Sequence, residues 1–519
     1  MQDDLAPAAS PRPRAARQPA TPPTTPVAMG AAVLARSASQ TLAEQLAGHY
    51  AARIRQRLLL PGARLPSVRE SARRHRVSPS TVVAAYDQLL ALGLVEAKRQ
   101  RGFFVREGDT LLPRGTAADP ARSEAARPSA TRLEITTERM PPLRPPPVDA
   151  TALIRGMFLS DAQHPAPGLG TLPVEWLDAP MLQTALRRAM TPHEGSGASS
   201  TLSYGEPAGD ARLRHALAHR LADFGVPTTA QQIVTANGAT HALDIVSRGL
   251  LSPGDAVLVD EPGWSVEFAR LTQLGMRLLP VPRGVDGPDL AAMAALAQAH
   301  RPRLYVTVSV LHNPTGTSLS LACAHQVLRL AEQHDFRIVE DDTYAHLAPA
   351  HAPRLSALDG LRRTIYVSGF AKILAPGWRV GFLAAPPDLV ERLVDVKLLG
   401  TLTTPALLEQ AVAVCLEQGW LRRHAERVIE RLGAARARSV KLAQAAGCRF
   451  ATPPTGLFGW VDTGVDTERL ATDMLDDGWL LAPGTVFHAN RRPSTLMRIN
   501  FATTQDVRFW RAFEKARAG

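Results

Sequence analysis

Ser368-Gly369-Phe370-Ala371-Lys372-Ile373-Leu374-Ala375-Pro376-Gly377-Trp378-Arg379-Val380-Gly381 is the stretch on which the reading of this chain turns. It follows the β-branched run Thr364-Ile365-Tyr366-Val367, so it leaves the end of a buried strand. A lysine placed there among apolar residues loses hydration, which lowers its pKa and lets the amine attack an aldehyde. Arg379, seven residues on, can pair with a phosphate. Taken alone, the spacing describes a snorkelling lysine equally well.

Working upstream, four more short apolar runs alternate with helical patterns: Phe336-Arg337-Ile338-Val339, Leu304-Tyr305-Val306-Thr307-Val308, Ala256-Val257-Leu258-Val259 and Ile233-Val234-Thr235. That alternation predicts a mainly parallel sheet with crossover helices, whose ligands sit at the C-terminal strand edges. Asp341-Asp342-Thr343-Tyr344 stands at one such edge, where a carboxylate can keep a ring nitrogen protonated. His312-Asn313-Pro314-Thr315-Gly316 stands at another, with Asn313 able to donate to a phenolate oxygen. Gly238-Ala239-Thr240 separates the Ile233 strand from a helix expected near His241, so its backbone N–H groups can take a phosphate. Trp264 follows Glu261-Pro262-Gly263 and can stack on a flat ring. Singly, these residues are also a turn glycine, a core tryptophan and a capping aspartate.

The chain has 519 residues, enough for two to four folding units, with 45% hydrophobic residues and a formal net charge of +11. Residues 39–108 hold 12 Lys/Arg against 5 Asp/Glu, the larger part of that surplus and the footprint of a polyanion binder. Cys323, Cys415 and Cys448 have neither zinc-ligand nor redox spacing. With no leader-like or membrane-length apolar run, a soluble cytoplasmic protein is expected. Residues 1–38, rich in Pro and Ala, read as a disordered tail; 109–150, ending in Pro141-Pro142-Leu143-Arg144-Pro145-Pro146-Pro147, reads as a linker.

In the basic region, Leu42, Leu46, Tyr50, Ile54 and Leu58 make one apolar stripe on a first helix. Ser67 with Glu70 is a capping box that starts a second helix running to about His75. Ser78-Pro79 starts a third, which Gly93 closes. Two strands around a basic turn follow, from Leu94 to Val105, and the whole reads as a winged helix-turn-helix. Gly62-Ala63-Arg64-Leu65-Pro66-Ser67-Val68-Arg69, Val77-Ser78-Pro79-Ser80-Thr81-Val82 and Tyr86 closely resemble the GntR group of bacterial regulators. The resemblance implies DNA contacts by Arg64, Ser67 and Arg69 from the second helix, Ser80 and Thr81 at the recognition helix, and Arg101 and Gly102 in the wing. Pro79 departs from the arginine common in that group, which removes a potential base-reading guanidinium, and Gln100 stands where a further glycine is frequent.

The order Gly238-Ala239-Thr240, Trp264, Asn313, Asp341 with Tyr344, Lys372 and Arg379 resembles aminotransferases of the aspartate aminotransferase fold. The resemblance implies pyridoxal 5'-phosphate as cofactor: Asp341 on the ring nitrogen, Asn313 and Tyr344 on the phenolate oxygen, Trp264 on the ring, and Lys372 on the aldehyde. Gly238, Ala239, Thr240 and Arg379 would hold the phosphate. Tyr204, in Tyr204-Gly205-Glu206-Pro207-Ala208-Gly209, matches a tyrosine that reaches the neighbouring subunit's phosphate, which implies a homodimer. Arg498 matches the arginine that clamps an α-carboxylate. Gly369 and Ala371 replace the usual hydroxyl residues, with Ser368 as a displaced substitute.

Together the two halves resemble MocR-type regulators. The fold expected is a winged-helix domain at 39–108, an α/β, fold type I domain at 151–400 and a smaller α+β domain at 401–519. The function expected is DNA-binding regulation in which an amino acid or amine is sensed through aldimine exchange at Lys372. The alternative is a working aminotransferase with a fused DNA-binding domain.

Overall fold

The computed structural model describes residues 40–55, 59, 62–98, 102–106, 167–191 and 203–518. The expected tail, the linker and residues 151–166 lie outside the described residues, as do Leu58, Gln100 and Arg101.

The N-terminal unit is three helices, α1 (Leu42–Arg55), α2 (Val68–His75) and α3 (Pro79–Ala91), followed by the hairpin β1 (Val95–Lys98) and β2 (Gly102–Val105). The starts of α2 and α3 are chemically marked. Ser67 and Glu70 close a reciprocal capping box on α2, and Ser78 Oγ accepts from the Thr81 N–H at 3.1 Å ahead of Pro79. α2 ends at Arg76 in the left-handed region (φ 53°), which turns the chain sharply into α3. Leu46, Tyr50, Val82, Tyr86 and Leu89 are buried between the helices, so the four-residue stripe of α1 does face a core. The Tyr86 hydroxyl donates to the Pro66 carbonyl at 2.9 Å and pins the turn before α2.

The larger unit is built on a seven-stranded sheet: β3 (Ile233–Ala236), β4 (Ala256–Glu261), β5 (Arg277–Pro282), β6 (Leu304–Thr307), β7 (Arg337–Asp341), β8 (Thr364–Gly369) and β9 (Gly381–Ala384). Spatial order is β3-β9-β8-β7-β6-β4-β5, parallel throughout except that β9 runs against both of its neighbours. The expected parallel runs are all strands; β5 and the antiparallel β9 are additions. Both faces are covered, which hides the two-residue period. Val257, Val259, Val339, Ile365 and Val367 pack on the helix Ala239–Leu250 side, whereas Leu258, Tyr305 and Ile338 pack against helices Leu290–His300 and Leu321–Gln333. The helix expected near His241 begins at Ala239, because Gly238 takes a positive φ (82°) that favours glycine and breaks the strand from the helix.

A second sheet, antiparallel, has the order β10-β11-β13-β12, formed by Arg449–Phe450, Phe458–Asp462, Leu496–Asn500 and Ala482–Pro483. The 26-residue helix Trp420–Ala445 leads into it. The segment after Pro167 also belongs to this sheet's surroundings: Gly168 N–H bonds the Leu480 carbonyl at 2.8 Å, and Asn500 Nδ2 holds the Leu169 and Thr171 carbonyls at 2.9 and 2.7 Å. Arg74 of α2 meets Asp473, on helix Thr467–Asp476, at 2.8 Å. Among the described residues no helix is long and apolar enough to cross a membrane.

Replacing Ser67 with Ala removes one half of the α2 capping box. Thermal unfolding of the head should then show a loss of about 1 kcal/mol, with the transition of the larger unit unmoved.

Candidate functional site

The strand edges converge as the sequence implies. Asp341 ends β7, is 6% exposed, and receives the Thr343 N–H (3.1 Å) and hydroxyl on Oδ1. Burial pushes its carboxyl up to about 6, against the pull of the Thr343 hydrogen bonds and with a further push from Glu267 and Asp342. Asp341 shares one cleft with Trp264, Glu267 and His312. His312 stays neutral, because burial and then the Arg283 charge drive its pKa well down.

Lys372 lies in the turn between β8 and β9, and its Nζ has no hydrogen bond from the described residues. Burial lowers the amine to about 8; Arg498 and Arg379 lower it further while Asp341 opposes them. A Cβ on Gly170 would sit 3.6 Å from that nitrogen, so the segment from Pro167 passes directly over it.

Arg498 projects from β13, the strand paired with both β11 and β12. Its guanidinium lies over Phe458 (4.5 Å) and Phe487 (5.0 Å), and it donates to Asn313 Oδ1 at 2.7 Å and to the Gly168 carbonyl. Nε is buried without a partner among the described residues, and burial brings the group down to about 10, still protonated at neutral pH. Asn313 keeps its Nδ2 donors for another acceptor. Tyr344 is buried edge-on to Phe458 at 5.5 Å, its hydroxyl pKa raised by burial.

The third feature is a cup. Arg379 has a left-handed backbone (φ 52°) and bonds the Asn237 carbonyl at 2.9 Å, so its guanidinium lies against Gly238. A Cβ on Gly238 would come 2.5 Å from Arg379 Nη2, and one on Gly381 would come 2.5 Å from the Gly238 carbonyl carbon. One on Gly369 would meet the Ala239 nitrogen at 3.3 Å. The Ala239 and Thr240 amides at this helix start, with Arg379 beside them, border a cup that side chains would fill and that could take an anion.

Two residues named from sequence do not point into this cluster. The Ser368 hydroxyl donates to the Asp342 carbonyl at 2.8 Å, so its hydrogen is committed there. Tyr204 is 82% exposed, turned to solvent rather than to the cleft of its own chain. Sequence reading missed Gly168 and Gly170, although a close pair of glycines before Pro173 does signal close approach. It also missed the buried network under the cleft, in which Asp260 takes Arg283 (2.9 Å), Tyr305 (2.5 Å) and Thr307 (2.7 Å). No short motif marks that network, since its members lie far apart along the chain.

On the head, Arg64, Ser67, Arg69, Ser80 and Gly102 are exposed and Thr81 is half-buried. Ser78 Oγ lies 2.8 Å from both Ser80 Oγ and Thr81 Oγ1, a cluster of hydroxyls at the start of α3. A Cβ on Gly102 would lie 3.4 Å from Arg64 Nε, so the wing strand and the Arg64 side chain ahead of α2 lie side by side.

Fold and site together define a winged helix joined to an aminotransferase-fold domain. Family models agree: residues 180–514 match aminotransferase class I and II, and residues 42–105 match the bacterial regulatory proteins of the gntR family. The larger part of the chain belongs to the class I and II aminotransferase family, and the whole, with its GntR head, to the MocR-type branch of the GntR regulators. It is 32% identical to the probable rhizopine catabolism regulatory protein MocR of Rhizobium meliloti, over 74% of this chain and 72% of that one. It is 26% identical to the HTH-type transcriptional regulator YisV of Bacillus subtilis, covering 86% of this chain and 89% of that one. Among solved structures, LysN, the α-aminoadipate aminotransferase of Thermus thermophilus, superposes with a TM-score of 0.64 at 26% identity, covering 71% of this chain and 94% of that one. A GntR domain implies DNA binding.

Gly238→Ala puts a methyl group into Arg379 at a φ/ψ that only glycine adopts readily, a strain of about 1–3 kcal/mol. Phosphate affinity, read by titrating the purified protein with pyridoxal phosphate, should fall at least about tenfold, about 1.4 kcal/mol.

Proposed function

We propose that this protein is a ligand-responsive transcriptional regulator whose aminotransferase-like domain holds pyridoxal 5'-phosphate and reads an amino acid or amine. Its head would bind double-stranded operator DNA. The observation that carries the reading is an unbonded, desolvated Lys372 amine in the same cleft as a buried carboxylate and an arginine clamp, on a chain with a capped DNA-binding head.

The residues fit the cofactor. The cradle of Gly238, Ala239, Thr240 and Arg379 suits its phosphate, and Asp341 Oδ2, free of the Thr343 bonds, suits the ring nitrogen. Asn313 and Tyr344 suit the phenolate oxygen, Trp264 the ring face and Lys372 the aldehyde. When bound, the cofactor supplies an aldehyde that bonds reversibly to amines and a ring that withdraws electrons.

Arg498 would orient the ligand's carboxylate through a bidentate pair. Nη1 and Nη2 now donate to Asn313 and the Gly168 carbonyl while Nε is left over, so a carboxylate pairing with both a terminal nitrogen and Nε must replace or share one of those bonds. Asn313 belongs to the large unit and Arg498 to the second sheet; a ligand between them changes the relative energy of open and closed arrangements. Arg74, bonded to Asp473 on the same second unit, offers a route from that movement to α2.

We assign the head to 39–108, the linker to 109–150, and the cofactor-binding and smaller domains to 151–400 and 401–519. We place the protein in the cytoplasm as a homodimer; the exposed Tyr204 supports the dimer, in which this residue would reach the partner's phosphate. Regulator relatives share both parts of the chain, whereas the LysN match covers only 71% of it, which favours regulation over turnover.

Purified protein should take up pyridoxal phosphate with visible absorption, and Lys372→Ala should abolish it. An unchanged spectrum together with an unchanged response of operator binding to amino acids would overturn the sensing mechanism. Uptake requires the neutral amine, so its rate should climb as pH rises through about 8. Arg498→Met removes a repelling charge, which raises the Lys372 pKa and moves that midpoint to higher pH in stopped-flow absorbance.

A further inference from the structure

The helix Trp420–Ala445 carries seven Lys/Arg against two Glu, and neither the cleft nor the head uses them. Helix Val507–Ala518 packs beside it and carries four against one. With 3.6 residues per turn, Arg423, Arg427, Arg431, Arg438 and Lys441 fall within a sector of about 80°. All five are exposed. At 1.5 Å per residue they form a straight stripe about 27 Å long.

One exposed acid, Glu430, lies about 20° beyond the edge of this stripe and makes no ion pair among the described residues, so five cations run beside a single carboxylate rather than in the alternating signs of an ordinary solvated face. Arg422 and Glu426 pair within the helix at 3.4 Å, but Arg422 stands off the stripe. Among the described residues only Arg427 of the five is ion-paired, to Asp178 at 2.8 Å. Arg423, Arg431 and Arg438 donate instead to the carbonyls of Gln418, Glu175 and Gln505 at 3.1, 3.4 and 3.2 Å. Those bonds orient the guanidinium groups without neutralising them. Arg431 also stacks on Trp176 at 4.7 Å, and Arg188 on Trp420 at 4.8 Å, which holds the cations in place beside the stripe.

We infer that this stripe is a second DNA-contact surface, which grips the phosphate backbone of duplex flanking the site held by the head. Its length matches about eight base-pair rises of 3.4 Å, and its ordered arginines suit phosphate oxygens. A membrane surface would want large apolar residues beside the cations, and along the exposed face of this helix Ile429 is the one large aliphatic residue open to solvent, at 42%. The inference rests on the proposed DNA binding by the head, and the test separates the two.

The probes are random-sequence duplexes of about 20 and about 60 base pairs, the shorter one spanning two adjacent half-sites and little more. Full-length, cofactor-loaded protein is titrated by fluorescence anisotropy across a salt series. The variant combines Arg423→Gln, Arg431→Gln, Arg438→Gln and Lys441→Gln. On the long duplex, its log–log salt slope should shrink by about 2 to 4, and affinity at low salt should fall at least about tenfold. Binding to the short duplex and the visible spectrum should not change. Equal losses on both duplexes, or none on either, would overturn the second surface, as would loss of binding to phosphatidylserine vesicles with DNA binding intact. Arg69→Ala reports on the head: it should weaken both duplexes alike, and failure there counts against the head alone.

Discussion

Everything at the cofactor cleft depends on one close backbone approach, where Gly381 at the start of β9 meets Gly238 just beyond the end of β3. The antiparallel pairing of β9 with β3 brings Gly381 opposite Ala236, and without side chains the two turns touch. Because β9 is also paired with β8, the same contact sets where the turn bearing Lys372 and Arg379 must lie. Arg379 then reaches the Asn237 carbonyl, and the first amides of helix Ala239–Leu250 open toward the same point. A bulkier residue at either glycine would separate amine, guanidinium and amides together.

The charges gathered there are in tension. Burial disfavours the ionised forms of Asp341, Lys372 and Arg498 alike, so each is moved toward neutrality. None has a partner of opposite charge within ion-pair distance among the described residues. Arg498 relies on carbonyl-type acceptors and two aromatic faces, and Asp341 on a threonine. Such an arrangement gains most when a ligand supplying a carboxylate, or a cofactor supplying a cationic ring, completes it. The Asp260–Arg283–Tyr305–Thr307 network beneath the cleft differs, because there the opposite charges meet directly and can serve as a rigid floor.

Much of this was legible in the residues. The capping box at Ser67, the Ser78-Pro79 start, the five strand runs and the residues at their C-terminal ends depend on local propensity and on edge position, which survive in one dimension. Other parts were not legible. β9 is only four residues long, and its antiparallel direction is decided by what lies on either side of it. The Pro167–Leu172 segment comes before the large unit in the chain yet crosses over Lys372, because Asn500 and Leu480 hold it there. Ser368 looked like a phosphate ligand from its position next to Gly369, but strand pleating turns its hydroxyl toward Asp342.

The chain alone therefore determined which chemical groups are available: a lysine just beyond a buried strand, a carboxylate at a strand edge, a glycine-led helix start and a basic three-helix head. Local rules of capping, periodicity and turn formation suffice for those, since each involves neighbours within a few residues. Tertiary structure decided which of them meet, how burial shifts their protonation, and which cations are left unneutralised along one helix face. Those outcomes arise from contacts between residues far apart in sequence, such as Asn313 with Arg498, where desolvation and distance act only after the chain has closed.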